Sequence, residues 1–336
     1  MKPTVKDVAR EAGVSTATVS NVLTQKKYVS DEITLRVKKA MEKLGYKPNS
    51  IARSLKVNRT FKIGIIVPNI TNPFFGEIVE EAGKVADEHG FQIILCASDY
   101  DINREKKIID NFASVRVDGI IDVAPIMLDS KLEKERNTPM VIVDRPHFPT
   151  ENNMLGFVYA DNYKASADVA DYLLKQGYRK FVCVSGYGEL IPNARCRRDG
   201  FCDELKRQGI AEKDILIYYS DFSFEGGYKC MQKFMCEDLR TEKYGAFISS
   251  DVMAWGGMEA LKNANYRIPE DIGVIGYDNI YYSNFLSPKL TTVENPTKEL
   301  GNISMNILID AIENGKMLNG KYYTVGTSLI QRQSTQ

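Results

Sequence analysis

Residues 4–23 read TVKDVAREAGVSTATVSNVL, and the spacing of their apolar positions decides how the whole chain is parsed. Val5, Val8, Ala9 and Ala12 recur at helical spacing behind Thr4. Asp7 stands three residues after that N-cap candidate, and Gly13 is in place to stop the helix. Ser15 or Thr16 can cap a second helix in which Val19, Val22 and Leu23 face inward. Ser30 is placed to cap a third, DEITLRVKKAMEKL, with Ile33, Val37, Ala40, Met41 and Leu44 apolar and Gly45 closing it. Three short helices, the first two joined by a tight glycine-containing turn, form a helix-turn-helix. The second helix leaves Thr16, Ala17, Ser20 and Asn21 off the core, small and polar as a helix entering a major groove requires.

Charge separates this head from the rest. The 336-residue chain has a formal net charge of zero, yet residues 1–60 hold 13 Lys/Arg against 5 Asp/Glu, and the remainder 31 against 39. A basic head on an acidic body points to an anionic partner for the head alone. The length suggests two or three units, each able to bury a core. Residues 1–10 carry no apolar h-region, and no apolar run approaches the roughly 20 residues of a membrane span, so neither export nor a membrane is expected. Six cysteines show neither CxxC nor metal-ligand spacing, which reads as free thiols in a reducing cytoplasm.

Downstream, YKPNSIARSLKV (46–57) sets Ile51, Ala52 and Leu55 on one side of a very short helix, with Arg53 and Lys56 between them. Helices below about 12 residues are marginal alone in water. Its context supplies a reason. TVKDVAREAGVSTATVSNVL, VSDEI and LGYKPNSIARSL together resemble, nearly position for position, the DNA-binding head of the lactose/galactose-repressor family of bacterial transcription regulators. ARSLKVN is similar to the purine-repressor branch. The resemblance implies base reading by Thr16, Ala17 and Asn21. It implies a wider DNA-facing set of Thr4, Ser15, Thr18, Ser20, Lys27 and Tyr28, and of Asn49, Ala52, Arg53, Leu55 and Lys56 in a hinge helix that orders on DNA. Leu55 would wedge between central base pairs from the minor groove. Asn21 departs from the arginine or histidine often found there. Asparagine suits an adenine edge, so a shifted operator preference is expected.

From Phe61 the pattern changes to apolar runs alternating with amphipathic helices. FKIGIIVP, FQIILCAS, DGIIDVA and MVIVDR read as buried strands, with helices near 75–89, 103–116 and 130–136. KFVCVSG, ILIYYSD, GAFISSD and IGVIGYD repeat the scheme, with helices near 161–176, 194–208, 224–237 and 252–264. Such alternation implies parallel sheets flanked by helices, and two consecutive units imply two α/β lobes with a cleft at the strand ends. The fold expected is therefore an all-α helix-turn-helix head (1–48), a hinge and linker (49–60) and a two-lobed core (61–336). By resemblance the core is similar to periplasmic ribose- and galactose-binding proteins. By the same resemblance LTTVENPTKELG and SLIQRQST imply chain exchange, giving lobe 1 as about 61–160 plus 293–322 and lobe 2 as about 161–292 plus 323–336.

Polar and aromatic residues cluster at the strand ends, the chemistry of sugar recognition: rings stack on apolar faces, and planar groups meet hydroxyls. The resemblance assigns Asn72, Phe74, Asp144, Arg145, Arg197, Phe222 and Asp278 to effector binding, and the strand-end reading adds Phe75, Ser250 and Asp251. Asp161 and Asn162 match a family motif but read as helix caps. Where the purine branch has an arginine, this chain has Ile191, which argues against a purine. VSGYG is only GxG, no GxxxxGK[ST] occurs, and neither His89 nor His147 sits in a nucleophile or metal pattern, so no enzyme, catalytic residue, cofactor or metal is expected. The expectation is a cytoplasmic homodimeric repressor on a pseudo-palindromic operator, controlled by a sugar or sugar phosphate. A regulator driven by a protein co-effector or a non-sugar metabolite is the alternative. The dimer, rather than a tetramer, follows from the lack of an added C-terminal helical tail.

Overall fold

The computed structural model describes residues 3–24, 28–46, 59–126, 138–146, 148, 150, 152–187, 191–237 and 242–335. It divides into two units, Met1–Thr60 and Phe61–Gln336. Lys27, Asn49, Ala52, Arg53, Leu55 and Lys56, with the expected hinge helix and the helix near 130–136, lie outside the described residues.

In the head, α1 (Val5–Ala12), α2 (Thr16–Thr24) and α3 (Asp31–Leu44) surround a core of Val8, Ala9, Ala12, Val19, Val37 and Ala40. Thr4 and Asp7 form a capping box: Asp7 N–H donates to Thr4 Oγ1 at 3.4 Å and Thr4 N–H to Asp7 Oδ2 at 2.9 Å. Gly13 closes α1 at φ 63°, and Arg36 from α3 reaches across to the orphan carbonyl of Ala12 at 2.6 Å. Of the two candidates for the cap of α2 it is Ser15, whose Oγ accepts from Thr18 N–H at 3.0 Å. Ser30 precedes α3 but makes no side-chain cap bond, contrary to its expected role; Asp31 and Glu32 instead bring negative charge to that first turn.

The core contains two six-stranded sheets. The first orders as β11-β5-β4-β3-β1-β2, built from β1 (Lys62–Val67), β2 (Gln92–Ala97), β3 (Gly119–Val123), β4 (Met140–Val143), β5 (Leu155–Ala160) and β11 (Tyr322–Val325), all parallel. The second orders as β12-β10-β9-β8-β6-β7, from β6 (Lys180–Gly186), β7 (Ile215–Ser220), β8 (Tyr244–Ile248), β9 (Ile272–Asp278), β10 (Thr291–Glu294) and β12 (Ser328–Ile330). Only β12 runs antiparallel to its neighbour.

Both faces of each sheet are covered, which is why the central strands are predominantly apolar rather than alternating. In the first lobe Ile63, Ile65 and Val67 face α4 (Pro73–Glu88) and α10 (Thr297–Asn314), whereas Ile66 faces α5 (Ile102–Ser114). In the second, Val182 and Val184 face α8 (Phe224–Glu237) and α9 (Asp251–Asn263), and Phe181 and Cys183 face α6 (Asn162–Lys175) and α7 (Pro192–Arg207). Two strands expected to be buried are edges: Leu95 on β2 is 42% exposed and Tyr219 on β7 is 53% exposed. The chain exchange also falls slightly later than expected. Val293 and Glu294 still pair with β9 in the second sheet, and Tyr323 to Val325 still pair with β5 in the first.

Candidate functional site

Parallel strands deliver their carboxyl ends to one rim, so the residues following β2, β4, β6, β7, β8, β9 and β10 meet where the lobes face each other. The centre of that rim is Arg197, carried by α7 and 4% exposed. Its Nε donates to Asn162 Oδ1 at 2.6 Å, and its Nη1 donates to the Ser249 carbonyl at 2.8 Å and Asp278 Oδ1 at 3.4 Å. From the opposite lobe, Asp144 Oδ2 stands 3.9 Å from Nη2. One turn earlier on α7, the Asn193 amide donates to the Asp144 carbonyl, so a single helix face holds both lobes.

The electrostatics follow from burial. Desolvation works against the charge of Arg197, but Asp278, Tyr277 and Asp144 outweigh it and its pKa rises. Burial pushes Asp144 and Asp278 up from the ordinary carboxylate value, and Arg197 opposes the shift in both. Around them, Asp144 Oδ1, Asn193 Oδ1, Ser249 Oγ, the Tyr277 hydroxyl and both amide atoms of Asn295 are buried without a hydrogen-bond partner. Native interiors leave few such atoms, and six of the nine found among the described residues converge on this place. Backbone strain collects at the same rim. Asp144 (φ 51°), Phe222 (φ 60°), Asp278 (φ 110°), Tyr100 (φ 54°) and Tyr187 (φ 33°) are all left-handed without being glycine.

Phe222, Tyr187 and Tyr100 line the mouth. Tyr100, from the first lobe, stacks on Phe222 of the second with centroids 5.7 Å apart and planes at 19°. Gly186 is required beneath: a Cβ there would run into the Phe222 ring. The first glycine of VSGYG therefore makes room for an aromatic ring rather than for a phosphate.

Asp144, Arg197 and Asp278 come together as expected, with Phe222 above them. The other assigned residues have local partners. Asn72 caps α4 by accepting from Phe74 N–H at 3.1 Å, and Phe74 and Phe75 are buried in the first-lobe core. Arg145 donates to the Pro125 carbonyl at 2.7 Å. Ser250 caps α9 by accepting from Met253 N–H at 3.3 Å. Both Asp251 oxygens are taken within its own lobe, by Thr292 at 2.6 Å and by Ser283 and Ile280 N–H at 2.6 and 3.0 Å. Gly276 leaves space for that carboxylate, since a Cβ there would meet Asp251 Oδ1. Asp161 caps α6 on Lys164 N–H at 3.0 Å, whereas Asn162 is the first helical residue and, instead of capping, accepts from Arg197. Sequence reasoning missed Asn193, Asn295, Tyr277, Tyr100 and Tyr187; only the helical i, i+4 spacing of Asn193 and Arg197 hinted at one of them.

In the head, Ser15, Thr16 and Ala17 are exposed at the start of α2, Thr18, Ser20 and Asn21 are half-buried along it, Thr4 is exposed, and Tyr28 is 92% exposed. Lys6, Arg10, Lys38 and Lys39 add exposed positive charge. Among the described residues no His/Cys/Asp/Glu group could hold a metal, no helix is long and apolar enough to cross a membrane, and all six cysteines are free thiols.

A helix-turn-helix head followed by a two-lobed core with a strained polar cleft defines a DNA-binding regulator of the ligand-responsive kind. The comparisons with known proteins agree. Residues 4–49 match the family model of bacterial regulatory proteins, lacI family, and residues 170–335 match a periplasmic binding protein-like domain. The ribose operon repressor of Escherichia coli is 34% identical over 92% of this chain and 93% of its own length. The transcriptional regulator RegA of Clostridium saccharobutylicum is 34% identical over 100% of both chains. The lac repressor dimer bound to operator superimposes with a TM-score of 0.86 at 26% identity, covering 100% of this chain and 99% of that one. A LacI family regulator from Enterococcus faecium with bound ribose gives 0.71 at 27% identity over 82% of this chain and 98% of that one. The chain belongs to the lacI family of bacterial regulatory proteins; it is a DNA-binding transcription regulator and not an enzyme.

Proposed function

We propose that this chain is a cytoplasmic homodimeric repressor of a pseudo-palindromic operator, and that a neutral monosaccharide bound between the lobes sets its DNA affinity. The observation that carries the effector reading is the convergence of unpartnered buried oxygens and amides on the Asp144–Arg197–Asp278 cluster. Sugar hydroxyls both donate and accept, which is what carboxylates, asparagine amides and hydroxyls in one pocket match. A sugar phosphate fits less well. The single guanidinium already faces two carboxylates, so a phosphate would add negative charge to a buried acidic site. The ribose seen in the E. faecium relative makes a pentose the first candidate.

For the head, Thr16, Ala17 and Asn21 are the base-reading set, with Thr4, Ser15, Thr18, Ser20, Lys27 and Tyr28 around the groove. Asn49, Ala52, Arg53, Leu55 and Lys56 form the hinge contact to the minor groove. Two heads spaced by a two-fold axis would meet successive major grooves. The exposed rings of Tyr281, Tyr282 and Phe285, 65%, 48% and 66% exposed beside Trp255, supply an apolar surface that a second copy would cover. Effector binding changes operator affinity only through its differential affinity for the two conformations, typically about 1–3 kcal/mol of coupling. The test is an operator-shift titration of the full chain against a panel of free sugars. A shift with at least one pentose or hexose and none with its phosphate is expected; a response to the phosphate alone overturns the reading.

A further inference from the structure

Resting on the monosaccharide reading above, we propose that Tyr100 is a specificity-determining residue, which closes the cleft over a single sugar ring and excludes a sugar that carries a second ring.

Tyr100 comes from the first lobe and its two aromatic neighbours from the second. Its ring lies 5.7 Å from Phe222 and 5.3 Å from Tyr187, and those two are 6.1 Å apart, so the three close a triangle across the mouth. The near-parallel stack on Phe222 occupies the aromatic face that a second ring would otherwise use. The Tyr100 phenol also looks inward. Burial raises its pKa first, and the nearby charges of Asp278, Arg197 and Asp144 act on it further.

The position is braced from behind. Asp99 and Tyr100 both turn left-handed, at φ 53° and 54°, between β2 and α5. Arg104 pairs with Asp99, and Asp101 caps α5 by accepting from Asn103 and Arg104 N–H at 2.7 and 3.0 Å. On the other side Gly186 fixes where Phe222 can lie. A ring held on both flanks is a wall of fixed height. In this proposal a single sugar ring lies beneath it, and an aglycone or second sugar meets it.

Binding is measured by calorimetry on the full chain, for wild type, Tyr100→Ala and Tyr100→Phe. The probes are D-ribose, D-xylose, D-glucose and D-galactose, each with its phenyl β-glycoside. Wild type should bind one free sugar at least about tenfold more tightly than that sugar's glycoside. Tyr100→Ala should abolish that preference by gaining glycoside affinity, and Tyr100→Phe should keep it. Thermal melts check folding, and Tyr100→Leu replaces the alanine variant if that one does not melt cooperatively. An unchanged ratio in Tyr100→Ala, or wild type taking both probes equally, overturns the proposal and leaves the sugar reading standing. No binding of any free sugar by wild type and variants sinks the sugar reading, and this proposal with it.

Discussion

The guanidinium carbon of Arg197 lies 3.7 Å from the centroid of the Tyr277 ring, and the next residue, Asp278, accepts from the same guanidinium at 3.4 Å. The end of β9 thus holds Arg197 by its face and by its edge, while Asn162 accepts from Nε, the Ser249 carbonyl accepts from Nη1, and Nη2 faces Asp144. Lysine cannot reproduce a planar fork that stacks and donates in several directions. Arg197→Lys should therefore abolish the effector response in operator-shift titrations. It should also cost about 3–5 kcal/mol of core stability by leaving two buried carboxylates poorly paired. A variant with wild-type melting and wild-type response would remove Arg197 from the centre of the site.

Gly186→Ala should separate binding from folding. The added Cβ runs into the Phe222 ring at the cleft mouth. The expected outcome is a cooperative melt close to wild type with sugar binding weakened by about tenfold or more, as for any lost stacking contact near 1.5 kcal/mol. Unaltered affinity would mean that Phe222 does not face the effector.

Asp251 gives a pH dependence with a definite sign. Burial pushes it up to about 6 from the ordinary 3.8, against the hydrogen bonds from Ser283 and Thr292. An acid that binds its proton more tightly folded than unfolded destabilises the fold when ionised. Its contribution therefore improves as pH falls from about 7 through 6 and levels off near the unfolded value of about 4. The size is on the order of 2–3 kcal/mol. Asp144 and Asp278, both raised, act in the same direction. Urea midpoints at several pH values should show this slope, and Asp251→Asn should reduce it; equal slopes would count against the assignment.

Arg36→Ala removes the donor that satisfies the Ala12 carbonyl at the end of α1. A head less stable by about 1 kcal/mol is expected, seen as a lower melting temperature of the head transition. Operator affinity should fall while its base preferences stay the same. A change in preferred sequence would instead make Arg36 part of the reading surface.

Two DNA predictions rest on the sequence of the head. Leu55→Ala should weaken operator binding far more than binding to unrelated DNA, because wedging into a kinked centre is part of specific binding only. Equal losses would return Leu55 to ordinary packing. An operator selected in vitro should carry adenine opposite Asn21; a selected guanine, insensitive to Asn21→Ala, would refute that reading.

What the sequence disclosed follows from which patterns are local. The runs Ile63–Val67 and Ile272–Tyr277 carry no charged residue because helices cover both faces, and that signal needs no knowledge of neighbours. The strand Tyr322–Val325 is exposed at three of its four positions, so nothing in its composition marks it, and its partner β5 lies far away in the chain. The site divides in the same way. Asp144, Asp278 and Phe222 stand at strand ends and were legible. Asn295 and Asn193 are single polar residues whose importance depends on two lobes facing each other. Phe74 and Phe75 looked like ring-stacking residues, but the first sheet draws them into its core. Asp251 looked like a ligand, but its own lobe supplies three donors.

The three passages of the chain between the lobes bear on how the molecule assembles. Lobe 1 starts at β1 but lacks a helix and an edge strand until α10 and β11 arrive, more than two hundred residues later. Lobe 2 waits even longer: Ser334 donates its backbone N–H to the Lys289 carbonyl, and Val274 donates to the carbonyl of Ser334. Neither sheet is finished until these late segments have been made. Such long-range pairing is slow, and it leaves apolar strand edges open in the interim. A nascent regulator with its head already folded thus carries a core that senses nothing until the segments from Thr297 onward have joined their sheets.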